Sequence, residues 1–279
     1  MRPFQQVDVF STEPLCGNPV AVVHEAEGLT TEQMERFTRW TNLSEATFLL
    51  PPTDPVADYR VRIFTQVGEL PFAGHPTLGT CHAWLAAGGQ PHDPERIVQE
   101  CPAGLIPIRR IDGVLAFGAP PVTRSGPVSS EDLERCARVL GIEVGDIVDS
   151  QWVDNGPGWV AVMLDSAEAV LALRPKGDGE RIDVGVVGLY PQGAECAYEV
   201  RAIFTNDRGD IMEDPVTGSL NASLAQWLVS AGVVQPPYAA SQGTAMGRAG
   251  RPRISVDADD AIWVGGATRT RIEGHVDVE

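Results

Sequence analysis

The sequence contains no apolar run near the roughly 18–20 residues that a membrane-spanning helix needs, which excludes a helical span. It has no Cys-x-x-Cys pair and no Cys/His spacing of a zinc site, so no metal is expected. Its five cysteines, Cys16, Cys81, Cys101, Cys136 and Cys196, are odd in number and far apart. They read as small apolar side chains buried in a reducing cytoplasm. There is no G-x-S-x-G elbow, no Walker loop and no strand-borne G-x-G-x-x-G, and no cofactor is expected. Positive charge is scarce. Lys and Arg number 21 against 38 Asp and Glu, a formal net charge of −17. Nucleic acid and anionic membranes are therefore poor partners, and a small anion would bind only where donors are concentrated. The start, Met1–Asp8, lacks the apolar core of a signal peptide and runs straight into strand-like alternation, so it reads as part of the fold. No low-complexity tail is found.

What is present is a repeat. A chain of 279 residues is long for one core and fits one long or two medium domains. Asn18-Pro19-Val20-Ala21-Val22-Val23 lines up with Gly158-Trp159-Val160-Ala161-Val162-Met163 at an offset of 140. Phe64-Thr65 and Phe204-Thr205 keep the same offset, as do Thr77 and Thr217. With one residue of slip, Tyr59-Arg60-Val61-Arg62 falls on Tyr198-Glu199-Val200-Arg201. Each match is short, but they agree on half the chain length, which marks a duplication.

Local patterns fit two similar halves. Val20–Val23 and Val160–Leu164 read as buried strands, and Arg60–Thr65 and Glu199–Thr205 as half-buried ones. A helix starts at Thr30, which has capping-box spacing to Gln33 and staple spacing from Leu29 to Met34. Met34, Phe37 and Trp40 are expected on its buried face, and Asn42 stops it. A second helix follows Pro76 and ends near Gly88. Its counterpart starts near Thr217, carries the stripe Leu220, Leu224, Trp227 and Leu228, and closes at Gly232. A further helix covers about Glu131–Leu140, capped by Ser129 or Ser130. The turn-rich stretch Gly118–Pro127 reads as the link between halves.

Three segments carry unusual polar residues. In Asn42-Leu43-Ser44-Glu45-Ala46, Glu45 lies between a helix end and an apolar strand. Burial there would raise its pKa and suit a group that takes and returns a proton. A solvated or arginine-paired strand-edge glutamate is the alternative. In Gly68-Glu69-Leu70-Pro71-Phe72-Ala73-Gly74-His75-Pro76-Thr77, a glycine-bearing loop enters a helix, whose N-terminal donors suit a carboxylate or enolate. His75 stands at its mouth, as a proton carrier or as a capping residue. Glu69 reads equally as a surface charge. In Glu213-Asp214-Pro215-Val216-Thr217-Gly218-Ser219, Asp214 falls at the repeat position of Gly74 and reads as a working acid or as an N-cap. The Gly/Arg-rich string Gln242–Arg251 reads as a loop.

Together these segments resemble the PhzF family of phenazine-biosynthesis-type isomerases, nearly end to end. The markers are Val7-Asp8-Val9-Phe10, Gly17-Asn18-Pro19-Val20-Ala21-Val22, Asn42-Leu43-Ser44-Glu45, Glu69–Thr77 and Glu213–Ser219, in order. The resemblance implies an α+β, diaminopimelate-epimerase-like fold of two pseudo-symmetric lobes. Each lobe is expected to be a curved, barrel-like sheet around a central helix. Residues 1–122, completed by about 265–279, form the first lobe and 123–264 the second, with the active site in the cleft between them. Racemases of this fold use a cysteine from each lobe; here those positions read as Gly74 and Asp214. The family's isomerase uses a glutamate matching Glu45, assisted by residues matching His75 and Asp214.

The expected function is cofactor-independent proton transfer between carbons of a small carboxylate-bearing substrate. Glu45, His75 and Asp214 are the catalytic set. Asn18, Gly74, Thr217, Gly218 and Ser219 are the substrate-binding set. A lyase, hydrolase or racemase-like enzyme on the same scaffold is the enzymatic alternative. A non-catalytic small-molecule binding protein is the other. The resemblance also implies a homodimer, in the cytoplasm.

Overall fold

A computed structural model describes residues 1–177, 179–206 and 208–278. Two compact units emerge, one of residues 1–118 with 265–279 and one of residues 119–264. In chain order the first stretch contains β1 (Arg2–Val9), β2 (Asn18–Val23), α1 (Thr31–Thr41), β3 (Glu45–Leu50) and β4 (Tyr59–Thr65). It continues with β5 (Glu69–Leu70), α2 (Gly74–Ala86), β6 (Ile97–Cys101), β7 (Gly104–Ile111) and β8 (Val114–Gly118). The second stretch opens with β9 (Arg124–Gly126), α3 (Ser130–Leu140), β10 (Asp149–Asp154), β11 (Val160–Leu164), α4 (Ala167–Ala172) and β12 (Asp183–Leu189). Next come β13 (Tyr198–Thr205), β14 (Ile211–Asp214), α5 (Gly218–Ser230), β15 (Tyr238–Ala239), β16 (Ser241–Gln242) and β17 (Arg253–Val256). The chain ends with β18 (Ile262–Gly266) and β19 (Thr268–Val276). The class is mixed α+β.

In the first unit the strands run β8-β7-β6-β4-β3-β2-β1-β19, with β5 beside β4. The second has β14-β13-β12-β11-β10-β9, with β16 parallel to β13. Each unit holds two parallel strand pairs joined through a helix, β2-α1-β3 and β4-α2-β6 in the first and β11-α4-β12 and β13-α5-β16 in the second, because parallel neighbours need a crossover. Each also holds one helix buried nearly all round. Leu78, Cys81 and Ala83 of α2 and Leu220, Leu224, Ala225 and Leu228 of α5 are sealed from water. Such helices need apolar residues on every face, and both sequences supply them. Small residues set the distances. A Cβ on Gly79 of α2 would lie 2.3 Å from Val20 of β2, and one on Gly185 of β12 would lie 2.5 Å from Leu220 of α5.

The caps are where the sequence puts them. Thr30 and Gln33 form the reciprocal capping box of α1, and Asn42 ends that helix in the left-handed region. Ser129, rather than Ser130, caps α3, and Gly141 ends it. Three expectations need correction. Trp40 is 79% exposed, its ring tilted 34° against that of Phe37 at 6.4 Å. At about 100° per residue it sits some 240° round from Met34, while Thr38 takes the buried place. The stretch Gly118–Pro127 is partly sheet, because Arg124–Gly126 pairs with β10. The helix expected after Pro76 begins at Gly74, which puts His75 and Pro76 inside its first turn. Pro76 costs nothing there, since first-turn N–H groups lack helical partners anyway.

Candidate active site

In the first unit, Glu45 opens β3 directly opposite Val20 of β2. Its side chain is 15% exposed, and Oε2 lies 3.4 Å from Nε2 of His75. Glu45 is thus mostly buried rather than solvated. His75, in the first turn of α2, is buried. Burial pushes its pKa down to about 3 against the opposing pull of the Pro19 carbonyl, so the imidazole is neutral. It does not cap the helix, whose N-cap is Ala73, with no side-chain cap. Its other nitrogen, Nδ1, lies 3.3 Å from the Asn18 amide, and Asn18 is also fully buried. Asn18, Glu45 and His75 thus form one group at the adjoining starts of β2, β3 and α2.

A residue that sequence reading passed over holds this group. Asp8, buried in β1, accepts the N–H of Gly17 at 2.9 Å. A Cβ on Gly17 would lie 2.2 Å from the Val9 carbonyl oxygen, so only glycine fits before Asn18. The signal was present in the Val7-Asp8-Val9-Phe10 marker: a carboxylate in an apolar strand needs a partner.

In the second unit, Asp214 ends β14, and Thr217 is the N-cap of α5. This overturns the N-cap reading of Asp214. The Thr217 hydroxyl donates to Asp214 Oδ2 at 2.5 Å instead of capping the helix. The Thr217 N–H is also engaged, donating to Gln242 Oε1 at 3.0 Å. Thr217 was expected to offer that group to substrate; among the three expected donors, Gly218 and Ser219 of the first turn of α5 remain for that role.

The two units correspond, but not at one offset. The long strands keep 139: Tyr59 matches Tyr198 and Arg62 matches Arg201. The buried helices keep 144: Gly74 matches Gly218, and the C-caps Ala87 and Ala231 match. The path from the matched arginine of the long strand to the helix, Arg62 to Gly74 against Arg201 to Gly218, is five residues longer in the second unit. Gly74 therefore corresponds to Gly218, not to Asp214, and Thr77 to Asn221, not to Thr217. Glu45 also loses its apparent symmetry. Val20, which faces α2, lies opposite Glu45, while Ala161, which packs with α5, lies opposite Gly185. The acid has a glycine as counterpart.

Both units brace the hairpin leading to the helix with an Arg–Glu fork. Arg62 binds Glu69 at 2.8 and 2.6 Å on a partly exposed face. Arg201 binds Glu213 at 3.0 and 2.8 Å and also donates to the Val170 and Leu173 carbonyls, nearly buried. Glu69 is thus a paired, structural charge. The cysteines are free thiols, and burial pushes those of Cys81 and Cys136 up to about 12. A cavity of about 580 Å³ on the first unit is lined by Met34, Arg60, Arg62, Glu69 and Glu100 among others, and not by Glu45 or His75. Among the described residues, no His/Cys/Asp/Glu group is arranged to hold a metal ion, and no helix is long and apolar enough to cross a membrane.

The model of the phenazine biosynthesis-like protein family matches residues 7–277. The chain belongs to this PhzC-PhzF family. Antisense-enhancing sequence 1 of Schizosaccharomyces pombe is 33% identical to it over 97% of both chains. A trans-2,3-dihydro-3-hydroxyanthranilate isomerase of Pseudomonas fluorescens is 34% identical over 89% of this chain and 88% of its own. The solved structure of a predicted epimerase of Pseudomonas aeruginosa superposes with a TM-score of 0.82 at 26% identity, covering 99% of both chains. The chain is a PhzF-like isomerase, and its substrate is a small molecule.

Proposed function

We propose that this chain is a cofactor-independent isomerase that moves a proton between two carbons of a small carboxylate-bearing substrate. The observation that carries the reading is the contact of Glu45 with a buried, neutral His75. A glutamate that opens a strand and keeps a small exposed fraction can meet substrate. A neutral imidazole beside it carries one ring proton. Its Nε2 faces the Glu45 carboxylate at 3.4 Å and its Nδ1 faces the Asn18 amide at 3.3 Å. Glu45 takes the proton from a carbon activated by an adjoining unsaturated or carboxyl-bearing centre, then returns it to a second carbon. His75 steadies the carboxylate between the two events.

Neither α2 nor α5 has a side-chain cap hydrogen bond, which suits Gly74, Gly218 and Ser219 to a substrate carboxylate. For Asp214 we propose that it holds an amino or hydroxyl group of the substrate. A positioned acid/base contributes about 10²–10⁴ in rate and one good oxyanion donor about 10²–10³, enough for an activated C–H. An unactivated amino-acid α-proton demands more, and no cysteine stands at Gly74 or Asp214 to supply the two-thiol route. The reading extends to barrel-like curvature of each sheet around its buried helix, and to a cytoplasmic homodimer, which light scattering would check.

The test is incubation in D₂O with trans-2,3-dihydro-3-hydroxyanthranilate, the compound in the name of the P. fluorescens relative, and with a panel of small unsaturated carboxylates. The expected result is a product of unchanged composition with deuterium at the receiving carbon, and a loss of at least about 10²-fold in Glu45→Gln. Full activity of Glu45→Gln would sink the assignment. Release of a fragment would move the enzyme to the lyases or hydrolases. Binding without exchange would make it a binding protein.

A further inference from the structure

The Gly/Arg-rich string that begins at Gln242 has a precise place in the second unit. Gln242 lies in β16 and is fully buried. Its main chain exchanges two hydrogen bonds with Gly250, at 3.2 and 3.0 Å. Glycines make that loop possible. A Cβ on Gly250 would lie 2.3 Å from Val216 Cγ2, and one on Gly243 would lie 2.6 Å from the Pro215 carbonyl oxygen. The loop is thereby pressed against the segment that joins Asp214 to Thr217.

The Gln242 side chain uses its whole hydrogen-bonding capacity on that segment. Oε1 accepts the Thr217 N–H at 3.0 Å and Asn221 Nδ2 at 2.7 Å. Nε2 donates to the Asp214 carbonyl at 3.1 Å and to Thr217 Oγ1 at 3.0 Å. The orientation of the amide follows from the main chain, since the Thr217 N–H can only donate and the Asp214 C=O can only accept. Asn221 agrees, because its Nδ2 also donates to the Thr217 carbonyl at 2.9 Å. Thr217 Oγ1 therefore accepts a hydrogen bond from Gln242. Its own single proton is left to point at Asp214 Oδ2, 2.5 Å away.

We infer that Gln242 is a positioning residue that makes the Thr217 hydroxyl donate to Asp214, and so fixes where the Asp214 carboxylate points. The inference rests on Asp214 taking part in the proposed reaction. The first unit contains the simpler form of the same device. Gln99, buried in the strand parallel to β4 as β16 is to β13, donates from Nε2 to Thr77 Oγ1 at 2.9 Å. Thr77 and Asn221 are the same position of the two buried helices. In the second unit alone, the glutamine amide also reaches an N-cap hydroxyl that carries the bond on to a carboxylate.

The test uses the full chain, trans-2,3-dihydro-3-hydroxyanthranilate as substrate, and four variants: Thr217→Val, Thr217→Ser, Gln242→Met and the double variant T217V/Q242M. Thr217→Val should lower kcat by about 10–100-fold with KM within about 3-fold, since misaiming a group by about 1 Å costs up to about 10²-fold. Thr217→Ser should recover most of that loss. Gln242→Met should fall as far as Thr217→Val, and the double variant no further than about 3-fold below either, because both break one chain of bonds. Multiplied losses in the double variant, or a Thr217→Val of wild-type kcat, overturn the inference. A second measurement needs no turnover. In side-chain ¹⁵N–¹H spectra, both Gln242 amide protons should exchange slowly in the wild type, and one should lose protection in Thr217→Val. Two rapidly exchanging protons, or no change on Thr217→Val, overturn it even if the proposed reaction is wrong. Slow exchange with that single loss supports it even if this substrate is not turned over.

Discussion

Acid should weaken the first unit through His75. The folded pKa lies near 3 and the ordinary value is 6.5, with burial as the main cause. A group whose folded pKa is depressed contributes its full stability above the unfolded pKa. It loses that contribution as pH falls toward the folded value, because the unfolded chain then binds a proton that the native state refuses. The window is therefore about pH 6.5 down to about pH 3. Each unit of pH within it is about 1.4 kcal/mol, so a drop from pH 6.5 to pH 4.5 should remove about 2–3 kcal/mol. The assay is urea unfolding of the wild type and His75→Gln at several pH values, taking the difference between them. His24 and His82, also lowered by burial, occur in both proteins and cancel in that difference. His75→Gln is expected to start lower and to flatten relative to wild type in acid. Parallel pH profiles would refute the reasoning, as would a His75 ring resonance that titrates near pH 6.

Glu213→Gln should cost about 3 kcal/mol in thermal or urea unfolding, because it strips a nearly buried guanidinium of its charge partner, whereas Glu69→Gln at the more exposed fork should cost under about 1 kcal/mol. Gly17→Ala should destabilise by about 1–3 kcal/mol, read from the same transition, since its methyl group meets the Val9 carbonyl. Thiol reagents should leave Cys81 and Cys136 of the native protein unmodified at pH 8 by mass spectrometry.

Much of this molecule is written locally. Thr30 with Gln33 and Ser129 with Gly141 mark their helices because capping is satisfied within a few residues. The Val20 and Val160 strands show as apolar runs because they are buried on both faces. The repeat is legible for the same reason, and it misleads where lengths change. A hairpin longer by five residues takes the match from 139 in the long strands to 144 in the helices, so no single offset aligns both.

The sequence by itself determined the family markers, the duplicated scaffold and the candidates Glu45, His75 and Asp214. Tertiary structure decided what those residues are to one another. It put a buried ring beside Glu45 and a glycine at the matching point of the other unit. It turned the Thr217 hydroxyl away from its helix and made Gln242 the reason. It assigned Asp8, far from any polar cluster in the sequence, to hold the turn before Asn18. The physical reason is range. Caps and periodicity act over a turn or two of chain, whereas desolvation and hydrogen-bond direction depend on every group that packing brings within a few ångströms, however distant in sequence.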